Sequence, residues 1–219
     1  MFLSVGRDEE KDRMVATVDT LATDRELNPS ARSKRDGWPP LCRLPIADVD
    51  EWLCRIPGVQ ESMGVDRTGR ALAALSCILC RSPDQGSEMG IVWALLGLEA
   101  LYGEGNQGLS QQILRKSELV LGTKRANKKR LAGVYNYRSR FLHGDIDMPF
   151  AFTDNHMDPP DLGKFMFETY DYWGIATSML VATLQQMVRL KLVELKFSLS
   201  LDKPDSDAVR TGDKLALVR

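Results

Sequence analysis

The chain has 219 residues, 43% hydrophobic and 27% charged, with a formal net charge of −1. That is the composition of a globular chain of one ordinary domain with arms, or of two very small domains, and it excludes a polycation that binds nucleic acid through its overall field. The strongest apolar stretch, Ile91–Leu101, is interrupted by Glu99 and is too short to span a bilayer. The first residues, MFLSVGRDEEKDR, show no basic start followed by an apolar run, so a signal peptide is not expected and a cytoplasmic location follows.

Residues 1–60 read as a partly irregular N-terminal arm. A short helix is expected over Asp12–Ala22. The stretch NPSARSKRDGWPPLCRLP, rich in Pro, Gly and charge, predicts loop or extended chain. A further helical turn is expected over Asp48–Cys54, with Asp48 as its cap. Residues 61–200 read as the helical domain. Thr68–Arg81 places Ala71, Leu72, Leu75, Ile78 and Leu79 at helical spacing, and Ser82-Pro83-Asp84-Gln85-Gly86 breaks it. Ser87 caps a second helix to Tyr102, with Met89, Val92, Trp93, Leu96 and Ala100 on one stripe. A third runs from Ser110 to Leu121 and closes at Gly122. Thr123 caps a fourth, whose inward face carries Leu131, Val134, Tyr135, Arg138 and Leu142 and which ends at Gly144. Asp145–Pro160 is rich in Pro and acid and reads as a loop. Asp161 caps a long helix to about Phe197. Residues 201–219 form a charged tail expected to lack stable structure. No period-two alternation is read after residue 66, so the expected fold is all-α: an up-and-down bundle of four to five helices with an irregular N-terminal arm.

The residues that exclude chemistries are few. Only His143 and His156 are present, and neither has a Glu three residues before it, so a di-metal bundle site is not supported. There is no phosphate-binding P-loop and no GxSxG elbow. Cys77 and Cys80 form a CxxC within an apolar run, and with Cys42 and Cys54 at irregular spacing they read as small core residues rather than zinc ligands. No metal and no cofactor are expected. A basic run, Lys124, Arg125, Lys128, Lys129, Arg130, Arg138 and Arg140, contains no acid and leads directly to His143. A solvated helix face and an RNA-backbone track are both consistent with it.

Tyr135, Arg138, Ser139, Phe141, Leu142, His143 and Gly144 resemble the YxxRS-hydrophobic-HG segment of the Apea-like branch of the HEPN superfamily. WALLGLEALYGEG followed by LSQQILRKSELVLG is similar to that branch's upstream segment, with Glu99 at its acidic position. The resemblance covers about residues 68–195. It implies a helical bundle that dimerises and brings two R-x4-6-H motifs together. It further implies a metal-independent endoribonuclease acting on RNA in antiphage defence or a toxin-like stress response, or a relative that has lost catalysis and serves as an interaction or scaffold module. On this reading Arg138 and His143 are the catalytic pair. Glu99, Ser139 and Tyr135 support them. Lys124, Arg125, Lys128, Lys129, Arg130 and Arg140 guide the RNA. A protein partner would engage the N-terminal arm or the C-terminal tail.

The chemistry suits the pair independently of the resemblance. RNA carries its own nucleophile, the 2′-hydroxyl; cleavage then needs a proton-transfer group near neutrality and a cation on the phosphate. A histidine and an arginine supply these. Five residues along a helix turn ~500°, so Arg138 and His143 do not share a face of one straight helix. Either the helix ends before His143 or two copies combine. The structural alternative is an Arg138–Glu99 ion pair and a His143 that merely satisfies helix-end carbonyls.

Overall fold

The computed structural model describes residues 2–8, 13–19, 37–80, 87–105, 108–122, 125–147, 162–200 and 214–218. Two antiparallel strands, β1 (Phe2–Asp8) and β2 (Arg13–Asp19), come first. Among the described residues six helices follow: α1 (Ile46–Leu53), α2 (Arg67–Leu79), α3 (Ser87–Tyr102), α4 (Leu109–Leu121), α5 (Arg125–His143) and α6 (Leu162–Arg189). A second antiparallel pair, β3 (Lys196–Ser200) and β4 (Lys214–Val218), closes the order. The architecture is an all-α bundle carrying two small hairpins. Among the described residues no helix is long and apolar enough to cross a membrane.

Helix α3 is the centre of the bundle. It is apolar almost all round, as a helix packed on several sides must be, and it buries Ile91, Ala94, Leu95, Leu98, Leu101 and Tyr102. Glycines let its neighbours approach. A Cβ at Gly90 would lie 2.6 Å from Trp173 Nε1, and one at Gly97 would lie 2.8 Å from Leu180 Cδ2. These pairs ascend together, so α3 and α6 run parallel. Helix α2 runs against α3: its Asp66 cap accepts the Gly69 N–H at 2.6 Å, Ala74 meets Gly97, and Arg67 donates to the carbonyls of Ala100 and Gly103 at the far end of α3. Helix α5 runs against α6, through Arg130–Asp171, Gly133–Tyr172 and Tyr137–Thr169. In chain order α2, α3, α5 and α6 therefore go up, down, up and down. Helix α4 crosses the end of α3, where the buried Lys116 ammonium donates to the Tyr102 carbonyl at 2.9 Å and pairs with Glu104 at 2.9 Å.

Several expectations change. The stretch expected to be a helix over Asp12–Ala22 contains β2, in keeping with the β-branched Val15, Thr17 and Val18. Within residues 1–60, Trp38, Trp52 and Ile56 belong to the core. Trp38 donates to the Gly122 carbonyl at 3.1 Å and Trp52 to the Leu192 carbonyl at 2.7 Å. The Gln185 amide bonds both the N–H and the carbonyl of Cys42. Pro45, not Asp48, precedes α1, and Asp48 sits in its first turn. Helix α6 stops at Arg189 rather than near Phe197. Lys191 adopts φ 55°, its N–H bonds the Val188 carbonyl at 3.0 Å, and the Leu192 N–H bonds the Met187 carbonyl at 2.9 Å. That is a Schellman ending with a lysine in the place usual for glycine. The chain then enters β3, and Phe197 packs 6.0 Å from the Tyr102 ring. The tail expected to lack structure supplies β4. The cysteines are not core residues: Cys42 and Cys77 are half-buried, Cys54 and Cys80 are exposed, and all four are free thiols.

Candidate functional site on helix α5

The helix that carries the motif is continuous from Arg125 to His143. It ends in a second Schellman arrangement. Gly144 takes φ 76°, its N–H bonds the Phe141 carbonyl at 3.3 Å, and the Asp145 N–H bonds the Arg140 carbonyl at 2.8 Å. His143 is thus the last helical residue, and it is exposed. Gly144 is the left-handed residue after the helix and His143 its cap, the ending expected at Gly144.

The inward side of α5 carries Leu131, Val134 and Tyr137, all buried. The Tyr137 hydroxyl pairs with Thr169 Oγ1 at 2.5 Å, and burial pushes its phenol up to about 12 despite that bond. Leu142, expected on this inward face, is instead 52% exposed beside His143.

Arg138 faces α3. Its Nη1 lies 3.7 Å from Glu99 Oε1, with the two side chains 28% and 16% exposed. Burial raises the Glu99 carboxyl above the ordinary glutamate value, and the Arg138 charge offsets only part of that. Tyr135, one turn before Arg138, has its phenol raised by burial and then by Glu99, with Arg138 acting the other way. Arg138 Nε and the Tyr135 hydroxyl are buried and have no hydrogen-bond partner among the described residues. Three of the sequence candidates, Glu99, Tyr135 and Arg138, therefore form one half-buried cluster between α3 and α5. His143 is not part of it.

The outward side of α5 carries Lys129, Ala132, Asn136, Ser139, Arg140 and His143, all exposed. It contains no acid and is ~21 Å long from Lys129 to His143. The exposed Arg140 guanidinium donates to the Asp145 carbonyl at 3.1 Å, which folds it over the turn that follows His143. Arg130, expected to guide RNA, is engaged elsewhere: its Nη2 lies 2.6 Å from Asp171 Oδ1. Arg125 and Lys128 lie in the first turns of α5. Lys124 and His156 fall outside the described residues. Asn136, exposed on this side, stands at i, i+4, i+7 spacing with Arg140 and His143.

Of the α3 stripe Met89, Val92, Trp93, Leu96 and Ala100, Val92 is buried, Trp93 and Ala100 are half-buried against the core, and Met89 and Leu96 reach water, 40% and 39% exposed. A shallow cleft of about 90 Å³ between α1 and the end of α6, lined by Asp48, Glu51, Trp52, Arg55 and Lys191 among others, holds none of the motif residues. Among the described residues no three His, Cys, Asp or Glu side chains converge as a metal site would require. No family model matches the chain, and no curated protein or solved structure matches it.

Proposed function

We propose that this chain is a HEPN-type, metal-independent endoribonuclease that acts on RNA in the cytoplasm as a homodimer, in antiphage defence or a toxin-like stress response. The setting rests on the family resemblance alone. The observation that carries the reading is the placement of the motif: an exposed His143 at the end of a helix whose outward stripe bears Lys129 and Arg140 and no acid. An acid-free basic track ending on a histidine suits a phosphodiester backbone delivered to a proton-transfer group.

The chemistry requires little else. The 2′-hydroxyl attacks the adjacent phosphorus, losing its proton to a base. The bond to the 5′-oxygen breaks, and that oxygen takes a proton from an acid. The products are a 2′,3′-cyclic phosphate and a 5′-hydroxyl. His143 is the proton-transfer group. Arg138 is on the far side of a continuous helix from His143, so it meets the same phosphate only when supplied by a second copy. Met89 and Leu96, exposed on α3 on either side of the half-buried Trp93, support self-association, because a second copy would cover their apolar area.

One observation favours a second reading. Arg138 Nη1 faces Glu99 at 3.7 Å within the bundle, which suits a non-catalytic interaction module in a larger defence or regulatory assembly. Incubating purified protein with single-stranded RNA and chelator, beside His143→Ala and Arg138→Ala, separates the two. Cleavage lost in both variants supports the nuclease. Cleavage that survives both sinks the catalytic assignment, and an inert wild type that still dimerises supports the interaction module.

A further inference from the structure

Continuity of α5 through His143 decides which side chains share its face. Neighbours on one face of an α-helix lie three or four residues apart, with Cβ atoms ~5–6 Å from each other. For His143 those neighbours are Arg140, three residues earlier, and Ser139, four residues earlier; Arg140 is the cation of the two, and Asn136 stands four residues before it. All four are exposed. Arg138, five residues from His143, points toward α3 and its Glu99.

We infer that Arg140 is a substrate-touching residue that holds the scissile phosphate beside His143 of its own chain, with Asn136 binding the sugar or phosphate one step further along. The inference rests on the ribonuclease reading and deepens it, because it assigns the same-chain phosphate ligand that the Arg138–His143 pair does not provide.

Three features carry it. The first is position: Asn136, Arg140 and His143 recur at i, i+4 and i+7 on a helix with no break. The second is how each arginine is held. Arg140 is exposed, and its Nη2 donates to the Asp145 carbonyl in the turn after His143. This ties the guanidinium to the helix end where His143 stands, and a phosphate is a stronger acceptor than the carbonyl it would replace. Arg130 and Arg138, in contrast, are paired with Asp171 and Glu99 and are partly buried. The third is charge: none of the exposed outward residues of α5 from Lys129 to His143 is acidic, and the nearest acids along the chain, Asp145 and Asp147, lie in the turn beyond it.

The test uses the full chain and a fluorescent single-stranded RNA in chelator. Binding is read by anisotropy over a salt series, and cleavage by gel. The variants are Arg140→Ala, Arg140→Lys, Asn136→Ala and, as a control for removing one surface positive charge, Arg115→Ala on α4. Arg140→Ala should weaken binding about tenfold at moderate salt and lower the slope of log affinity against log salt by about 0.7, the value for one lost phosphate contact on single strands. Cleavage should fall by about tenfold or more at saturating RNA, because a planar fork on the reacting phosphate acts on kcat. Arg140→Lys should restore the salt slope but only part of the rate, and Arg115→Ala should match wild type. Thermal midpoints equal to wild type in all four keep the comparison free of folding effects. If wild type binds and cuts RNA and Arg140→Ala behaves as Arg115→Ala does, this inference fails while the ribonuclease reading stands. If wild type neither binds nor cuts RNA, both fail.

Discussion

Glu99 and Arg138 face each other across α3 and α5 at 3.7 Å, too far apart for a hydrogen bond. Arg130, also on α5, makes a tight pair at 2.6 Å with Asp171 of α6. Glu99 is held where burial penalises its charge more than Arg138 rewards it. The sign of the stability effect follows. A carboxyl whose folded pKa is raised binds more protons folded than unfolded, so its contribution is present below the unfolded value and is lost as pH rises through the folded one. Denaturant midpoints measured from pH 4 to 7 should therefore fall for wild type as pH rises above the ordinary glutamate value, relative to Glu99→Gln, which lacks that drop. Identical pH profiles would contradict the buried placement of Glu99.

The close contact of Gly90 with Trp173 gives a packing prediction. A Cβ at position 90 would meet the rigid indole at 2.6, 2.9 and 3.0 Å, with no flexible chain end to move aside. Gly90→Ala should destabilise the fold by ~1–3 kcal/mol in urea unfolding, the usual range for overpacking, although alanine is the better helix former. A stabilised variant would contradict the parallel packing of α3 on α6.

The two Schellman endings predict opposite outcomes. Gly144 at φ 76° should lose roughly 1 kcal/mol on conversion to alanine, whereas Lys191 at φ 55° should gain up to about 1 kcal/mol on conversion to glycine. The exposed Lys191–Glu51 pair, at 3.7 Å, subtracts little from that gain. Chemical denaturation of both variants checks the pair of signs.

If Arg138 and His143 meet across two copies, activity should be recovered by mixing. Arg138→Ala and His143→Ala chains, each inactive alone, should give about a quarter of wild-type cleavage when co-refolded, since half of the dimers are mixed and each holds one intact site. No recovery, with mixed dimers present, would place the pair in one chain or outside catalysis. Charging the exposed side of α3 with Leu96→Glu should separate the dimer in sedimentation and abolish cleavage with it.

Much of the bundle could be read from the sequence because its helices carry their own punctuation. Gly122 and Gly144 stop α4 and α5 where expected, and α3 runs from Ser87 to Tyr102 as its pattern requires. The end of α6 was hidden because its stop residue is Lys191, a side chain with no turn preference, adopting the conformation of a glycine. Past it, Lys196–Ser200 alternates polar and apolar with period two, but the long apolar pattern before it masked so short a strand. On α3 the apolar stripe was legible and which of its residues reach water was not: a helix apolar on every side gives no sequence cue to that. The site divided in the same way. The spacing of Arg138 and His143 already forbade a shared face on a straight helix, whereas the partners of Arg138 and Arg130 depend on which helices neighbour α5, which no local pattern encodes.

The most direct measurement of the central claim is cleavage of single-stranded RNA by the wild-type protein and by His143→Ala in chelator, with the ends of the products identified. The account predicts 2′,3′-cyclic phosphate ends from wild type and a rate lower by about 10²–10⁴-fold in the variant, the range expected on removing a proton-transfer group. Cleavage by His143→Ala at the wild-type rate would contradict it.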